Sequence, residues 1–386
     1  MPANKPPFDG EWVKLGELIS KAPIERCGDA KYPVYSMTMR DGIVEQAGRF
    51  KKAIASKDTS SYKVVKKNQL VVGFPIDEGV IYVQNHDAPG IMSPAYNVWN
   101  IDLGRVDPSY LEFALHGPRS MAYYADKMRG TTARRRTLTA DGLREMEILL
   151  PSADGQIRVV NTLDEVRSLI EGASGQIAML DTLVKSRFVE TFGDAGWPVA
   201  TIGSLAKDIR YGTSKKASGN GQFIYLRMNN MTDEGGLVFN DVKHIDLSGP
   251  ELEKCQVIDG DLLFNRTNSR EKVGKTAVFH EAEPMVIAGY IIRVRLGDRV
   301  RPDFLSAYMN LPTTKETLRS IAKGAVHQAN INSKELSAIE VPVPPLELQD
   351  RFLSFVAEVD KSRYIVQQKI EKLQTLYDSL AQEYFG

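Results

Sequence analysis

The stretch Pro344-Pro-Leu-Glu-Leu-Gln349 decides how this chain is built, because a shift of 193 residues lays it on Pro151-Ser-Ala-Asp-Gly-Gln156. The chain has 386 residues, twice that shift. The same shift lays Leu180-Asp-Thr-Leu183 on Leu373-Gln-Thr-Leu376, and Glu190-Thr-Phe-Gly193 on Glu383-Tyr-Phe-Gly386. With small insertions, Trp12-Val-Lys-Leu-Gly-Glu-Leu18 resembles Trp197-Pro-Val-Ala-Thr-Ile-Gly-Ser-Leu205. Asn68-Gln-Leu-Val-Val72 resembles Gly260-Asp-Leu-Leu-Phe264 in the same way. So do Val106-Asp-Pro-Ser-Tyr-Leu111 and Val300-Arg-Pro-Asp-Phe-Leu305, and Arg129-Gly130 and Lys323-Gly324. An ordered series at a nearly constant offset indicates duplicated domains, and the period is too long for a solenoid.

Working outward, each copy divides into a globular part and a tail. In 345–386, Phe352, Val359, Val366, Leu373 and Leu380 recur every seven residues, widened by Val356, Ile370, Leu376, Tyr377 and Tyr384. In 156–193 the stripe is Val160, Leu163, Val166, Ile170, Ile177, Leu180, Val184 and Phe188. These patterns predict helices of about 38–40 residues, roughly 55–60 Å long. Gly172 and Gly175 weaken the first by roughly 1 kcal/mol each relative to Ala, which allows a bend. A stripe this long needs a partner, and the matched tail favours an antiparallel coiled-coil spacer over two helices packed on their own domains.

The globular parts carry short β-type runs, such as Gln69-Leu-Val-Val-Gly-Phe74, Leu262-Leu-Phe264 and Val286-Ile287, punctuated by Gly, Asn, Asp and Pro. A helix is expected after each Pro108-Ser-Tyr and Pro302-Asp-Phe segment. The expected fold class is therefore α+β: two tandem domains of mixed α/β structure, each followed by a long helix, the two helices forming an antiparallel coiled-coil spacer, with pseudo-two-fold duplication. The divisions fall at 1–10 (tail), 11–150 (first domain), 151–196 (helix and linker), 197–344 (second domain) and 345–386 (helix).

Composition narrows the function. The chain is 42% hydrophobic and 25% charged, which excludes bulk disorder. Charged and polar residues break every apolar run well short of about 18 residues, so no membrane span is expected. The first ten residues lack the apolar core of a signal peptide. Cys27 and Cys255 have no metal-ligand spacing and fit a reduced cytoplasmic protein.

Signatures of chemistry are missing. Gly274-Lys-Thr276 resembles the end of a phosphate-binding loop, but Ser269 stands where the first glycine belongs. The five histidines are scattered without HExxH or Cys/His clustering. The expectation is a non-catalytic chain that binds no cofactor or metal itself, a bivalent recognition device.

The polar segments suit DNA. Tyr211-Gly-Thr-Ser-Lys-Lys216 sets Tyr211, Thr213, Ser214, Lys215 and Lys216 in one flexible stretch, with the side-chain types that position phosphates. Leu226-Arg-Met-Asn-Asn230 supplies Arg227, Asn229 and Asn230, and Phe264-Asn-Arg-Thr-Asn268 supplies Asn265, Arg266 and Asn268, each after a strand-like run. Arg is the usual bidentate reader of guanine and Asn of adenine in the major groove. Gln328 and Asn330 fall where the first copy carries Arg134, Arg135 and Arg136, so one slot bears two reading chemistries.

These words resemble the specificity subunit of type I restriction–modification enzymes. The resemblance rests on Tyr211–Lys216, Leu226–Asn230, Asp261-Leu-Leu-Phe-Asn-Arg-Thr-Asn-Ser269, Val273-Gly-Lys-Thr-Ala277 and Val343-Pro-Pro-Leu-Glu-Leu-Gln349. The order domain–helix–domain–helix extends it over nearly the whole chain. Between Cys27 and Asp58 the first copy departs from the family's wording.

The resemblance implies a non-catalytic DNA-binding subunit of a bacterial or archaeal host-defence system. Each domain would read one half of a bipartite, asymmetric double-stranded DNA site, and the helix pair would set the gap. Two methyltransferase (modification) subunits would dock and methylate adenine, and two restriction/translocase subunits would join them. S-adenosylmethionine, ATP and Mg²⁺ would belong to those partners. A coiled-coil adaptor binding protein partners, without DNA recognition, is the alternative.

Equal numbers of basic and acidic residues, 49 each, do not exclude DNA. Residues 1–150 carry 21 basic and 18 acidic side chains, and 197–344 carry 19 and 17. The tails reverse the sign, with 4 and 7 in 151–196 and 5 and 7 in 345–386.

Overall fold

A computed structural model describes residues 9–39, 41–49, 58–128, 138–193, 196–325 and 328–386. Both tails are helical as the stripes require. Helices Ala153–Phe192 and Leu346–Phe385 have 40 residues each. The first runs through Gly172 and Gly175, where a Cβ would meet nothing within 4 Å, so neither glycine answers a steric demand. All five heptad positions from Phe352 to Leu380 are buried or half-buried. Leu376 departs from the expected stripe: it is 46% exposed.

The chain divides into two compact units. One comprises residues 1–173 with 369–386; the other comprises 174–368. Each unit therefore combines one globular region with a segment of both long helices.

In the second unit, strands Ala206–Tyr211, Ile291–Leu296, Leu262–Asn265 and Thr276–Val278 form an antiparallel sheet in that order. A second sheet orders Lys243–Ile245, Phe223–Leu226, Met285–Ile287 and Gln256–Val257, its central pair parallel. Leu263, Ala277 and Ile291 of the first sheet share one buried cluster with Leu226 and Ile287 of the second. On the other side, Phe264 and Ile292 join Phe304 and Leu305 of helix Pro302–Met309.

The long helices complete this second cluster. Phe188 lies 5.2 Å from Phe304 and 5.2 Å from Phe352, and Phe192 lies 5.0 Å from Phe304. Asp181 and Arg363 pair at 2.7 Å. Stepping back from 188 to 181 thus steps forward from 352 to 363, so the helix segments in this unit run antiparallel.

The first unit repeats the plan. Strands Ile19–Lys21, Asn97–Ile101, Gln69–Val72 and Ile81–Val83 form a sheet in the equivalent order. The hairpin Tyr35–Met37 with Ile43–Glu45 meets the antiparallel pair Lys63–Val65 with Gly90–Met92 through a parallel bridge of Val34 and Ile91. Helix Pro108–His116 follows the expected segment, capped by Asp107. Its Tyr110 joins Val159 and Leu163 of one long helix and Phe385 of the other in a single core.

The paired words that reveal the duplication also fix where each long helix starts. In both halves the glutamine of the first turn is buried and ties the helix to the globular region, with Gln156 3% and Gln349 0% exposed. Among the described residues, no helix is long and apolar enough to cross a membrane.

Candidate nucleic-acid interface

Strand direction gathers the candidate readers in the second unit. Tyr211 and Asn265 pair with neighbouring residues, Ile292 and Ile291. Leu226 pairs with Ile287, and Thr213 bridges Ala288. The segments leaving these strand ends, 212–216, 227–230, 266–269 and 288–290, therefore emerge at one end of the two sheets. Strand Thr267–Asn268 then adds to the hairpin Lys323–Ala325 and Gln328–Asn330.

Here side chains meet across long sequence separations. The Arg266 guanidinium lies 4.9 Å from the Tyr211 ring centroid, and its Nη1 donates to the Gly289 carbonyl at 3.3 Å. Thr267 Oγ1 donates to Asn330 Oδ1 at 2.9 Å. The Gly289 N–H donates to the Thr213 carbonyl at 2.7 Å, joining the 212–216 segment to the same group. Ser214, Lys215, Lys216, Asn229 and Gln328 are exposed, while Asn268 and Asn330 are half-buried.

Three expected DNA contacts are turned inward instead. Thr213 is 4%, Asn230 1% and Asn265 0% exposed. Thr213 Oγ1 donates to Glu251 Oε1 at 2.7 Å and accepts from the Lys215 N–H at 3.1 Å. Asn230 accepts from the Arg227 N–H and donates to the Val238 and Asp241 carbonyls. Asn265 has the same parity on its strand as Leu263, which points between the sheets. Among the described residues, neither of its buried amide atoms has a hydrogen-bond partner.

These residues shape the loops from within, because short polar side chains compete well for local backbone groups. The expected flexibility of Tyr211–Lys216 also gives way, since its first three residues are anchored in the fold. Arg227 is committed as well: Nη2 donates to the carbonyl and carboxylate of Asp241, both at 2.9 Å.

Sequence reasoning missed three partners. Glu251, on helix Gly249–Cys255, pairs with Lys215 Nζ at 2.5 Å. Hydrogen bonds from Lys215 and Thr213 hold its carboxyl below the usual carboxylate range. Ser333 bonds the Tyr211 hydroxyl. Asp241 balances Arg227. None sits in a motif; each is brought in by topology. Arg134, Arg135 and Arg136 lie outside the described residues. Among the described residues, no group of three or more His, Cys, Asp or Glu side chains is placed to hold a metal ion.

The chain is similar in sequence and fold to known proteins. The model of the type I restriction modification DNA specificity domain matches residues 195–375. The MjaX specificity subunit assigned to a type I restriction enzyme of Methanocaldococcus jannaschii is 28% identical over 130 residues, 33% of this chain and 31% of that protein. The EcoKI specificity subunit of Escherichia coli is 24% identical over 159 residues, 40% and 34% of the two chains. The matches thus span about a third of these relatives.

Among solved structures, a chain from work on complex assembly and conformational transition of the type I R-M system superposes with a TM-score of 0.60. It is 19% identical, with 99% of this chain and 98% of that one covered. The type I restriction–modification S subunit from M. genitalium superposes with a TM-score of 0.51 at 14% identity, with the same coverage. Those likenesses show the fold alone, and the sequence matches show what residues 195–375 are similar to. A duplicated plan of globular region and long helix, with the type I restriction modification DNA specificity domain matched over residues 195–375 of its second copy, makes this chain similar to type I restriction–modification specificity subunits.

Proposed function

We propose that this chain selects the DNA on which a type I restriction–modification complex acts, without catalysing a reaction itself. Each globular region reads one half of a bipartite double-stranded site. The observation that carries this reading is the gathering of Arg266, Gln328, Asn330 and the Lys215 segment at one end of the second unit's sheets. A protein-binding adaptor requires no such collection of cations and amides beside strand ends.

The long helices set the distance between half-sites. Two readers on one face of B-DNA need half-sites about one turn apart, roughly 34–36 Å. Helices of 40 residues extend roughly 60 Å, leaving surface for partners. Two methyltransferase subunits dock there and methylate adenine, and two restriction/translocase subunits join them in the cytoplasm. S-adenosylmethionine, ATP and Mg²⁺ are used by those partners.

The test is binding of random-sequence duplex DNA by the full chain at increasing salt. Phosphate contacts release counterions, so affinity should fall linearly on a double-logarithmic plot, with a slope of about −0.9 per contact. Binding indifferent to salt, or absent also when the methyltransferase partner is present, contradicts the reading.

A further inference from the structure

Tyr211 looks at first like a DNA contact, but its groups are committed within the fold. Its hydroxyl donates to Ser333 Oγ at 2.9 Å and accepts from the Ser333 N–H at 2.7 Å. A phenol has only one proton to give. The face of its ring carries the Arg266 guanidinium at 4.9 Å.

Arg266 is held from several sides. Its N–H donates to the Tyr290 carbonyl and its own carbonyl accepts from the Ile331 N–H, both at 2.9 Å. Nη1 reaches the Gly289 carbonyl, while Nε is buried without a partner. Among the described residues, no hydrogen bond engages Nη2. With Nε buried, the edge left to meet a planar pair of acceptors is the terminal one, Nη2 beside the second N–H of Nη1. A planar, fixed guanidinium is the form of arginine that recognises such a pair.

Resting on the DNA-reading proposal above, we infer that Arg266 is a specificity-determining residue of the second globular region and Tyr211 its positioning residue. The Tyr211 ring fixes the guanidinium plane so that its free edge meets a base bearing two acceptors in the major groove, which is guanine O6 and N7. Because the ring pre-orders a side chain rich in rotamers, less freedom is lost on binding. Tyr211 therefore acts on sequence choice without touching DNA.

The test selects duplexes from a pool with randomised base pairs, using the full chain with a co-expressed adenine methyltransferase partner. Variants are Arg266→Ala, Tyr211→Ala, Tyr211→Phe and the double alanine. The wild-type chain should enrich a motif with guanine at a position where Arg266→Ala lowers preference about ten- to hundredfold. Tyr211→Ala should weaken the same position, and Tyr211→Phe, which keeps the ring, should preserve it. In the Arg266→Ala background, Tyr211→Ala should change nothing further. The salt slope on random duplex should stay that of the wild type.

A motif unchanged by Arg266→Ala overturns the inference. So does a Tyr211→Ala effect that persists without Arg266 or spreads evenly over all positions. If Tyr211→Ala fails to fold, Tyr211→Leu serves in its place, and the Arg266→Ala and Tyr211→Phe arms decide independently. A wild-type chain that enriches no motif would instead contradict the DNA-reading proposal itself.

Discussion

The side-chain amide of Gln349 makes in the second half the three bonds that Gln156 makes in the first. Gln349 Nε2 donates to the Pro344 and Arg299 carbonyls at 2.8 and 3.4 Å, and Oε1 accepts from the Arg301 N–H at 2.8 Å. Gln156 Nε2 donates to the Pro151 and Arg105 carbonyls at 3.0 and 3.1 Å, and Oε1 accepts from the Asp107 N–H at 2.7 Å. One buried amide thus satisfies the turn before a globular helix and the turn before a long helix together.

Replacing Gln349 by Leu keeps the volume and leaves those backbone groups unpaired. Each unsatisfied buried polar group costs about 1–3 kcal/mol, so the variant should unfold at clearly lower urea concentration. Gln156→Leu should do the same for the first unit. An unchanged midpoint would show that the amide is dispensable.

Phe188 ties a long helix to the second globular region through Phe304 and Tyr308, and to the other long helix through Phe352. Phe188→Ala should cost about 3–5 kcal/mol, the usual range for a buried aromatic removed from a packed core. Hydrogen exchange should show the loss in 174–368, with protection retained around Tyr110 and Leu163. A uniform loss across both units would contradict their separate cores.

Glu251 holds Lys215 through an ion pair, which a DNA phosphate would replace if Lys215 contacts DNA as proposed. Glu251→Gln keeps an acceptor for Thr213 and releases the ammonium. Random-duplex affinity at low salt should rise, and the salt slope should steepen by about 0.9. Because exposed pairs are weak, a gain of roughly two- to fivefold is expected. Reduced binding would place Lys215 away from DNA.

His280 joins two carboxylates, Asp259 through Nδ1 at 2.8 Å and Asp303 through Nε2 at 2.9 Å. Burial disfavours its charge, but the hydrogen bonds to Asp303 and Asp259 outweigh it and hold the pKa above the ordinary 6.5. A raised folded-state pKa gives stability that is fully present below pH 6.5 and lost as pH rises through the folded value. The ring's NMR titration should therefore centre above 6.5. In His280→Gln, this decline of the unfolding midpoint with pH should disappear.

Much of this fold was legible because its determinants are local or periodic. The 193-residue offset, the heptad of Phe352 to Leu380 and the Pro108 and Pro302 helix starts all act within a few turns of chain. The site was less legible, because residue type does not reveal which way a strand-end side chain turns. Asn265 and Arg266 are adjacent, yet one faces the space between the sheets and the other lies on the Tyr211 ring. Glu251 and Ser333 became visible only once long-range pairing carried them to the loops. Leu376 shows the limit for the helices: apolar periodicity names a stripe, and the partner surface decides how much of it is covered.

Genome-wide mapping of methyladenine in strains with and without its gene tests whether this chain chooses DNA sites for adenine methylation. Our account predicts a bipartite motif that is methylated when the chain is present and unmethylated when it is deleted. Replacing residues 11–150 with the equivalent region of a relative should change only one half of that motif. Methylation that is identical in both strains while the methyltransferase is active, or both half-sites changing together after the exchange, would contradict the account.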